Sequence, residues 1–202
     1  MTAVATGHTA DDQAETVLLW LMRGAGTGGL AGIPVKRGGG IIRPLLGVTR
    51  QQVLDYLAFR GMPYRSDSSN GTPVYRRNRI RREVLPALRS LNPRIIEVLA
   101  RGADILTGDA AVLNEIEQER WGSTAKEASL GRVVLDVKRL AAEHLGLQRR
   151  LVRRALAAAL GGPAGLTFRH VSDILERVVA GAHGAGLNLP GGLRVEDRKS
   201  VV

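Results

Sequence analysis

The sequence predicts an α/β fold: an open sheet with helices in its first part, then a mainly helical remainder. Three observations carry that reading. A short apolar strand, Ala3-Val4-Ala5, runs directly into a helix whose body is the apolar run VLLWLM at 17–22. A second short apolar strand is expected at Ile41-Ile42. Beyond residue 92 the pattern is mostly helical, interrupted by GRVVLDV (131–137) and closing on a small hairpin in LNLPGGLRV (187–195).

With 202 residues at 44% hydrophobic, the chain can bury a real core. It is expected to divide into a sheet-bearing part at 1–90, connecting helices at 91–130 and a mainly helical part at 131–196. The last six residues, Asp197–Val202, read as a non-native tail, because DRKSVV coincides with one reading frame of a common sequencing adapter. The net charge is +10 and arginine supplies 25 of the 29 basic residues. That balance suits a polyanionic partner, since the planar guanidinium fork matches phosphate. The absence of cysteine excludes a disulfide framework, a cysteine metal site and thiol chemistry. No run approaches ~20 apolar residues and no basic-then-apolar leader is visible, so a cytoplasmic protein without a membrane partner is expected.

Taken in order, GHTADDQAET (7–16) opens the first helix. Thr9 is the expected N-cap, with Asp12 three positions on as in a capping box. Asp11 and Glu15 are four apart and Asp12 and Glu15 three apart, so acidic groups share one face. A lone acidic first turn is most simply a well-capped surface helix. Here Gln13, Thr16 and the apolar run behind them place the polar start at a strand's carboxyl end, where open α/β sheets hold ligands.

RGAGTGGLAGIP (23–34) follows a helix rather than preceding one, so it reads as a flexible connection rather than a phosphate loop, with Gly24 ending the helix. Ile41-Ile42 is expected to be buried and to project the Arg43 guanidinium from its end. Thr49 and Gln52 mark a helix to about Arg60, closed by Gly61 and striped by Val53, Leu54 and Leu57.

After the turn formers Asp67, Ser68, Ser69, Asn70 and Gly71 come Arg76, Arg77, Arg79, Arg81 and Arg82. Residues 76–101 hold eight arginines against two acids. A solvated helix face accounts for several of them. A cationic helix start nevertheless opposes the macrodipole, and a bound anion would resolve that conflict.

Asn92-Pro93 starts a long helix to about Trp121, expected to break at Gly102 or Gly108. Residues 102–130 are net acidic, a spacer face. Helices are expected around 138–145, 147–160 and 167–181. In the middle one Leu147, Leu151, Ala155 and Ala159 line one side, while Arg149, Arg150, Arg153 and Arg154 form a ridge, either a phosphate grip or ordinary solubility charge. His144, His170 and His183 read as structural.

GHTADDQAET, RGAGTGGLAGIP, IIRPLL and DSSN followed by YRRNRIRREVLPAL, in that order, resemble the tRNA(Ile)-lysidine synthetases, members of the PP-loop ATP pyrophosphatase group. The resemblance covers about residues 3–95 closely and the helical remainder loosely. It implies a Rossmann-like, adenine nucleotide hydrolase-like sheet. It implies also that ATP, with Mg2+, adenylates the wobble cytidine of a tRNA(Ile) with CAU anticodon, and that free lysine then displaces AMP. Such enzymes commonly pair, so a homodimer is implied.

Carried onto these positions, the resemblance implies catalytic roles for His8, Asp12 and Arg77, with Asp12 and Glu15 gripping lysine. His8, Asp11, Arg43 and Arg81 would contact nucleotide or phosphate. Asp67, Asn70, Arg76, Arg77, Asn78, Arg81, Arg149 and Arg153 would contact tRNA. Acidic groups suit a lysine that must be held and deprotonated, and cations suit a phosphoryl region. Tyr56, Phe59, Tyr64 and Tyr75 fall in one twenty-residue window and offer a stacking surface for a cytidine, although core positions are expected for most of them, Phe59 especially.

One departure is large: the S-G-G-x-D-S loop that holds ATP phosphates in these enzymes has no counterpart here. The chain therefore reads as an N-terminally truncated piece with an incomplete sheet, inactive alone. The alternatives are another PP-loop tRNA-modifying enzyme, with thiolases disfavoured by the missing cysteines, and a noncatalytic tRNA-binding module whose binding is salt-sensitive and independent of ATP.

Overall fold

The computed structural model describes residues 3–65, 76–162, 165–179 and 186–197. Asp67, Asn70, Tyr75, His183, the turn at Gly181 and residues 198–202 lie outside the described residues. The chain forms two compact units, residues 1–112 and 113–202.

In the first unit, β1 (Val4–Ala5) leads into α1 (Ala10–Leu21). The start of α1 follows from local chemistry. The Asp12 carboxylate accepts the Thr9 amide at 2.9 Å, the reach-back of a capping box. Ala10, Ala14 and Leu18 repeat every four residues and are all buried, so α1 presents one apolar stripe. Gly24, at φ 70°, closes the turn behind the helix.

Three very short strands form the sheet, in the order β1-β3-β2. β3 (Ile41–Ile42) pairs parallel with β1, Val4 opposite Ile41, and antiparallel with β2 (Lys36–Arg37). Pattern reading misses β2, a two-residue strand of Lys and Arg. Ile41 and Ile42 are half-buried rather than fully covered.

The glycine-rich connection is not the loose linker expected. It contains a short helix, α2 (Thr27–Leu30), and is pinned by Gln13. The Gln13 amide nitrogen donates to the carbonyls of Ala31 (3.4 Å) and Ile33 (3.2 Å), and its oxygen accepts the Ile33 amide. Gly32 sits at φ 68°, where a Cβ would stand 2.5 Å from the Gln13 side-chain oxygen. Only glycine fits that approach.

α3 (Arg50–Phe59) starts at Thr49, whose hydroxyl accepts the Gln52 amide while Gln52 accepts the Thr49 amide at 2.8 Å. Gly61, at φ 61°, follows it. α3 buries no residue fully, and Phe59 is 85% exposed. The expectation that Phe59 belongs to the core is therefore wrong: it lies at the helix end, beyond the half-buried Val53, Leu54 and Leu57.

α4 (Arg76–Arg79) runs into a π-helical turn, Ile80–Val84, and then α5 (Leu85–Leu91). Pro86 explains the wide turn. It has no N–H for the carbonyl four residues back and its ring would collide there, so the Leu85 amide reaches the Ile80 carbonyl instead. Ile80, Leu85 and Ile96 pack on the stripe of α1.

α6 (Ile95–Thr124) is continuous for 30 residues. The expected break at Gly102 or Gly108 does not occur. Each glycine costs about 1 kcal/mol relative to alanine, too little to end a helix propagating through good formers. Ile96, Ala103 and Ala110 are its buried hydrophobic positions, seven residues apart.

In the second unit, β4 (Ala125–Ser129), also missed from sequence, pairs antiparallel with β5 (Arg132–Leu135). α7 (Val137–Ala142), α8 (Leu145–Leu160) and α9 (Phe168–Ile174), which continues as a π-helical turn over Leu175–Val179, supply most of the core. That core comprises Leu140, Leu151, Val152, Leu156, Val171, Ile174, Leu175 and Leu189. His144 caps α8 by accepting the Gly146 amide, and His170 accepts the Thr167 amide at the start of α9, so both are structural as expected. β6 (Gly186–Asn188) and β7 (Arg194–Glu196) form the expected hairpin, turning through Pro190–Gly192.

Candidate functional site

The carboxyl ends of β1 and the amino end of α1 bring the acidic and basic clusters of the first unit together. Arg81 Nε lies 2.6 Å from Glu15 Oε1 and its Nη2 3.1 Å from Oε2. Arg77 Nε lies 2.7 Å from Glu15 Oε2, and its Nη2 3.1 Å from Asp12 Oδ1. Glu15 is fully buried, whereas both arginines keep about a third of their side chains exposed. The Arg81 guanidinium is held above its ordinary pKa, chiefly by its hydrogen bond to Glu15, with burial working against it. The cationic start of the 76–82 segment thus has anionic partners within the same chain, Glu15 and Asp12.

Beside this cluster opens a cavity of about 340 Å³, lined among others by Asp11, Asp12, Arg50, Arg81, Arg82 and Arg89. Asp11 forms its second edge. One oxygen accepts the Arg50 amide at 2.7 Å, capping α3 from another helix, and the other lies 3.2 Å from Arg89 Nη2. Carboxylates of α1 therefore share one concavity with Arg50 of α3, Arg81 and Arg82 of the π-helical turn and Arg89 of α5.

Several expected site residues stand elsewhere. His8 is half-buried, with Nδ1 2.9 Å from the Thr6 hydroxyl, and does not line the cavity. Arg43 is 8% exposed and donates from Nη1 to the Pro34 carbonyl at 2.7 Å. It secures the turn before the sheet rather than projecting from it. Arg76 is exposed on α4, and Asn78 is half-buried there. Glu15 is committed to two arginines, so an amine reaching it must displace one of them.

In the second unit the basic ridge of α8 is largely engaged. Arg150 pairs with Glu117 at 2.8 Å and also meets Asn114. Arg154 lies over the Trp121 ring and Arg149 over Phe168. Arg153 is the exposed member of the four.

Arg50 and Arg89 line the cavity without having been singled out from sequence, and Arg82 does so although the sequence marked it only as part of the cationic run. Pro86 carried a signal, as a helix breaker inside a helical run. Nothing in the spacing marks Arg50 or Arg89.

Residues 1–88 match the family described as a PP-loop domain, and residues 135–199 match the TilS substrate binding domain. A protein of Geobacter sulfurreducens named tRNA(Ile)-lysidine synthase is 43% identical over 189 residues, which span 93% of this chain and 40% of that relative. One of Salinispora tropica, with the same name, is 45% identical over 203 residues, 96% of this chain and 58% of the relative. The chain belongs to the tRNA(Ile)-lysidine synthase family. A third member, from Symbiobacterium thermophilum, is 42% identical over 95% of this chain and 42% of its own length. The chain spans about half the length of these curated relatives.

The PP-loop domain agrees with the Rossmann-like α/β class expected from the sequence, and β1 and β3 supply a parallel pair of it. Among the described residues, no helix is long and apolar enough to cross a membrane. The lysidine synthase resemblance also implied Mg2+. Among the described residues no group of three metal-ligating side chains converges. The carboxylates of α1 already engage Arg77, Arg81, Arg89 and backbone amides. Paired in this way, these side chains do not by themselves form a Mg2+ site.

Proposed function

We propose that this protein forms the lysine- and cytidine-facing part of a tRNA(Ile)-lysidine synthase. The reaction is the ATP-dependent ligation of free lysine to the wobble cytidine of tRNA(Ile) with CAU anticodon. The cytidine is first adenylated, pyrophosphate leaves, and the lysine ε-amine then displaces AMP. The observation that carries this reading is the Asp11–Asp12 edge of the cavity facing Arg50, Arg81, Arg82 and Arg89. An amine and a phosphorylated nucleotide need that juxtaposition of opposite charge.

The roles of the α1 carboxylates follow from their contacts. Asp12 keeps a partly exposed carboxylate at the cavity and holds the lysine ammonium, with Asp11 beside it. Glu15 acts from behind, fixing the Arg77 and Arg81 guanidinium groups so that they meet developing phosphate charge without reorganising. His8 stands at the strand end for the nucleotide, held through Nδ1 by Thr6. Arg43 supports the turn behind it. ATP supplies the activating adenylyl group. The resemblance assigns Asp67, Asn70, Arg76 and Asn78 of the first unit, and separately Arg149 and Arg153 of the second, to tRNA contact.

The test replaces the corresponding stretch of the Geobacter sulfurreducens relative with residues 1–202 and follows incorporation of labelled lysine into tRNA(Ile). Incorporation that requires ATP, and whose lysine KM rises about tenfold with Asp12→Ala, a loss of about 1.4 kcal/mol of binding, is expected. A natively folded chimera that transfers no lysine, or whose lysine KM ignores Asp12, refutes the reading. The 202-residue chain alone, which contains no S-G-G-x-D-S run, is expected to form no lysidine.

A further inference from the structure

α3 carries an unusual surface at its far end. Tyr56 is 58% exposed, Phe59 85%, Met62 53% and Tyr64 60%. Tyr56 and Phe59 are three apart, hence neighbours on one helical face, and Gly61 turns the chain so that Met62 and Tyr64 follow directly. Arg60 and Arg65 are exposed beside them. Isolated exposed aromatics are ordinary, but four large apolar side chains within nine residues, interspersed with arginines, are not.

The same helix begins at Arg50, which lines the cavity. At 1.5 Å per residue, Phe59 lies about 14 Å along the axis from that rim. We infer that the Tyr56–Phe59–Tyr64 surface of α3 is a stacking platform for unpaired RNA nucleotides flanking the one that enters the cavity. Two features select RNA over an apolar protein partner. The arginines complement phosphate, and the chain as a whole carries +10. Flat aromatic rings alternating with cations are what single-stranded RNA requires, bases stacking on rings while phosphates meet guanidinium groups. This inference rests on the proposed function for the identity of the RNA, but concerns a surface outside the reacting cavity.

The experiment measures binding of the 202-residue chain to an anticodon stem-loop RNA with a CAU loop and to a fully paired duplex of equal length. Tyr56→Ala/Phe59→Ala is expected to weaken stem-loop binding about tenfold and leave duplex binding within twofold, while Tyr56→Phe/Phe59→Tyr retains wild-type affinity. Because the side chains are exposed, the variants keep the parental Tm. Equal stem-loop binding by wild type and the alanine variant overturns the inference. So does a monomer–dimer equilibrium that shifts with the alanine variant while RNA binding does not, which would assign the face to a second copy of the chain. Lysine transfer in the chimera is scored separately. Loss of transfer with intact stem-loop discrimination indicts the proposed reaction, and the reverse indicts the platform.

Discussion

Arg81 grips both oxygens of Glu15, Nε at 2.6 Å from Oε1 and Nη2 at 3.1 Å from Oε2, while Arg77 Nε shares the second oxygen at 2.7 Å. A buried carboxylate is thus neutralised by two partly exposed cations, and the helix α1 is tied to the segment 76–84. Removing one partner of such a pair strands the others. Glu15→Ala is expected to lower unfolding free energy by about 2 kcal/mol, below the range for fully buried pairs because both arginines remain in contact with water. Urea denaturation measures it. A change under about 0.5 kcal/mol would show that the cluster contributes nothing to the fold.

Gly32 and Gln13 form a second lock, within α1 and the glycine-rich connection. Gly32→Ala places a Cβ in the left-handed region and 2.5 Å from the Gln13 oxygen. A loss of about 1–2 kcal/mol is expected, with faster hydrogen exchange at the Ile33 amide that Gln13 accepts. Unchanged exchange at Ile33 would mean that the loop does not depend on Gln13.

The α8 arginines should separate by environment. Arg150→Ala breaks the half-buried pair with Glu117 and is expected to cost about 1 kcal/mol of stability. Arg153→Ala is expected to leave stability unchanged and to reduce the salt slope of tRNA binding by about 1. Titrations between low and moderate salt decide the point, and an unchanged slope would remove Arg153 from the RNA surface.

Asp136 caps α7 by accepting the Arg139 amide and also faces Lys126 at 3.2 Å. These contacts, the Arg139 amide first and the lysine second, hold its carboxyl below the ordinary aspartate pKa. A carboxyl with a depressed folded-state pKa stabilises above its unfolded pKa, and that contribution disappears as pH falls through the folded value. Asn caps as well but does not titrate. The Tm of wild type should therefore exceed that of Asp136→Asn near neutrality and converge with it in acid, as pH falls through the lowered carboxyl pKa. Parallel Tm curves from neutrality to strong acid would contradict the assignment.

Reading the chain from its residues captured what acts within a turn or two. Thr9 with Asp12, Thr49 with Gln52, and Gly24 and Gly61 behind their helices are all where spacing puts them. The hairpin turning at Pro190–Gly192 was legible for the same reason. Such features depend on side chains bonding to backbone a few residues away, so the residue types and their spacing are sufficient. Phe59 was misplaced because an aromatic residue marks a preference for burial, while exposure depends on what lies opposite. The continuity of α6 was missed because two glycines were weighed without the cooperativity of the twenty-eight residues around them.

The partners of the acidic helix are another kind of fact. Asp11 meets Arg50 and Arg89, 39 and 78 residues away, and Glu15 meets Arg81, 66 away. With 25 arginines in the chain, charge alone could nominate almost any of them. Packing made the choice: Ala10, Ala14 and Leu18 of α1 seat against Ile80 and Leu85, and Pro86 widens the intervening turn. The residue types of GHTADDQAET and YRRNRIRREVLPAL were enough to propose a meeting of amine and phosphate. Which guanidinium groups brace Glu15 and which face the cavity follows from three-dimensional contact, because electrostatic pairing acts through distance in space and leaves no period along the chain.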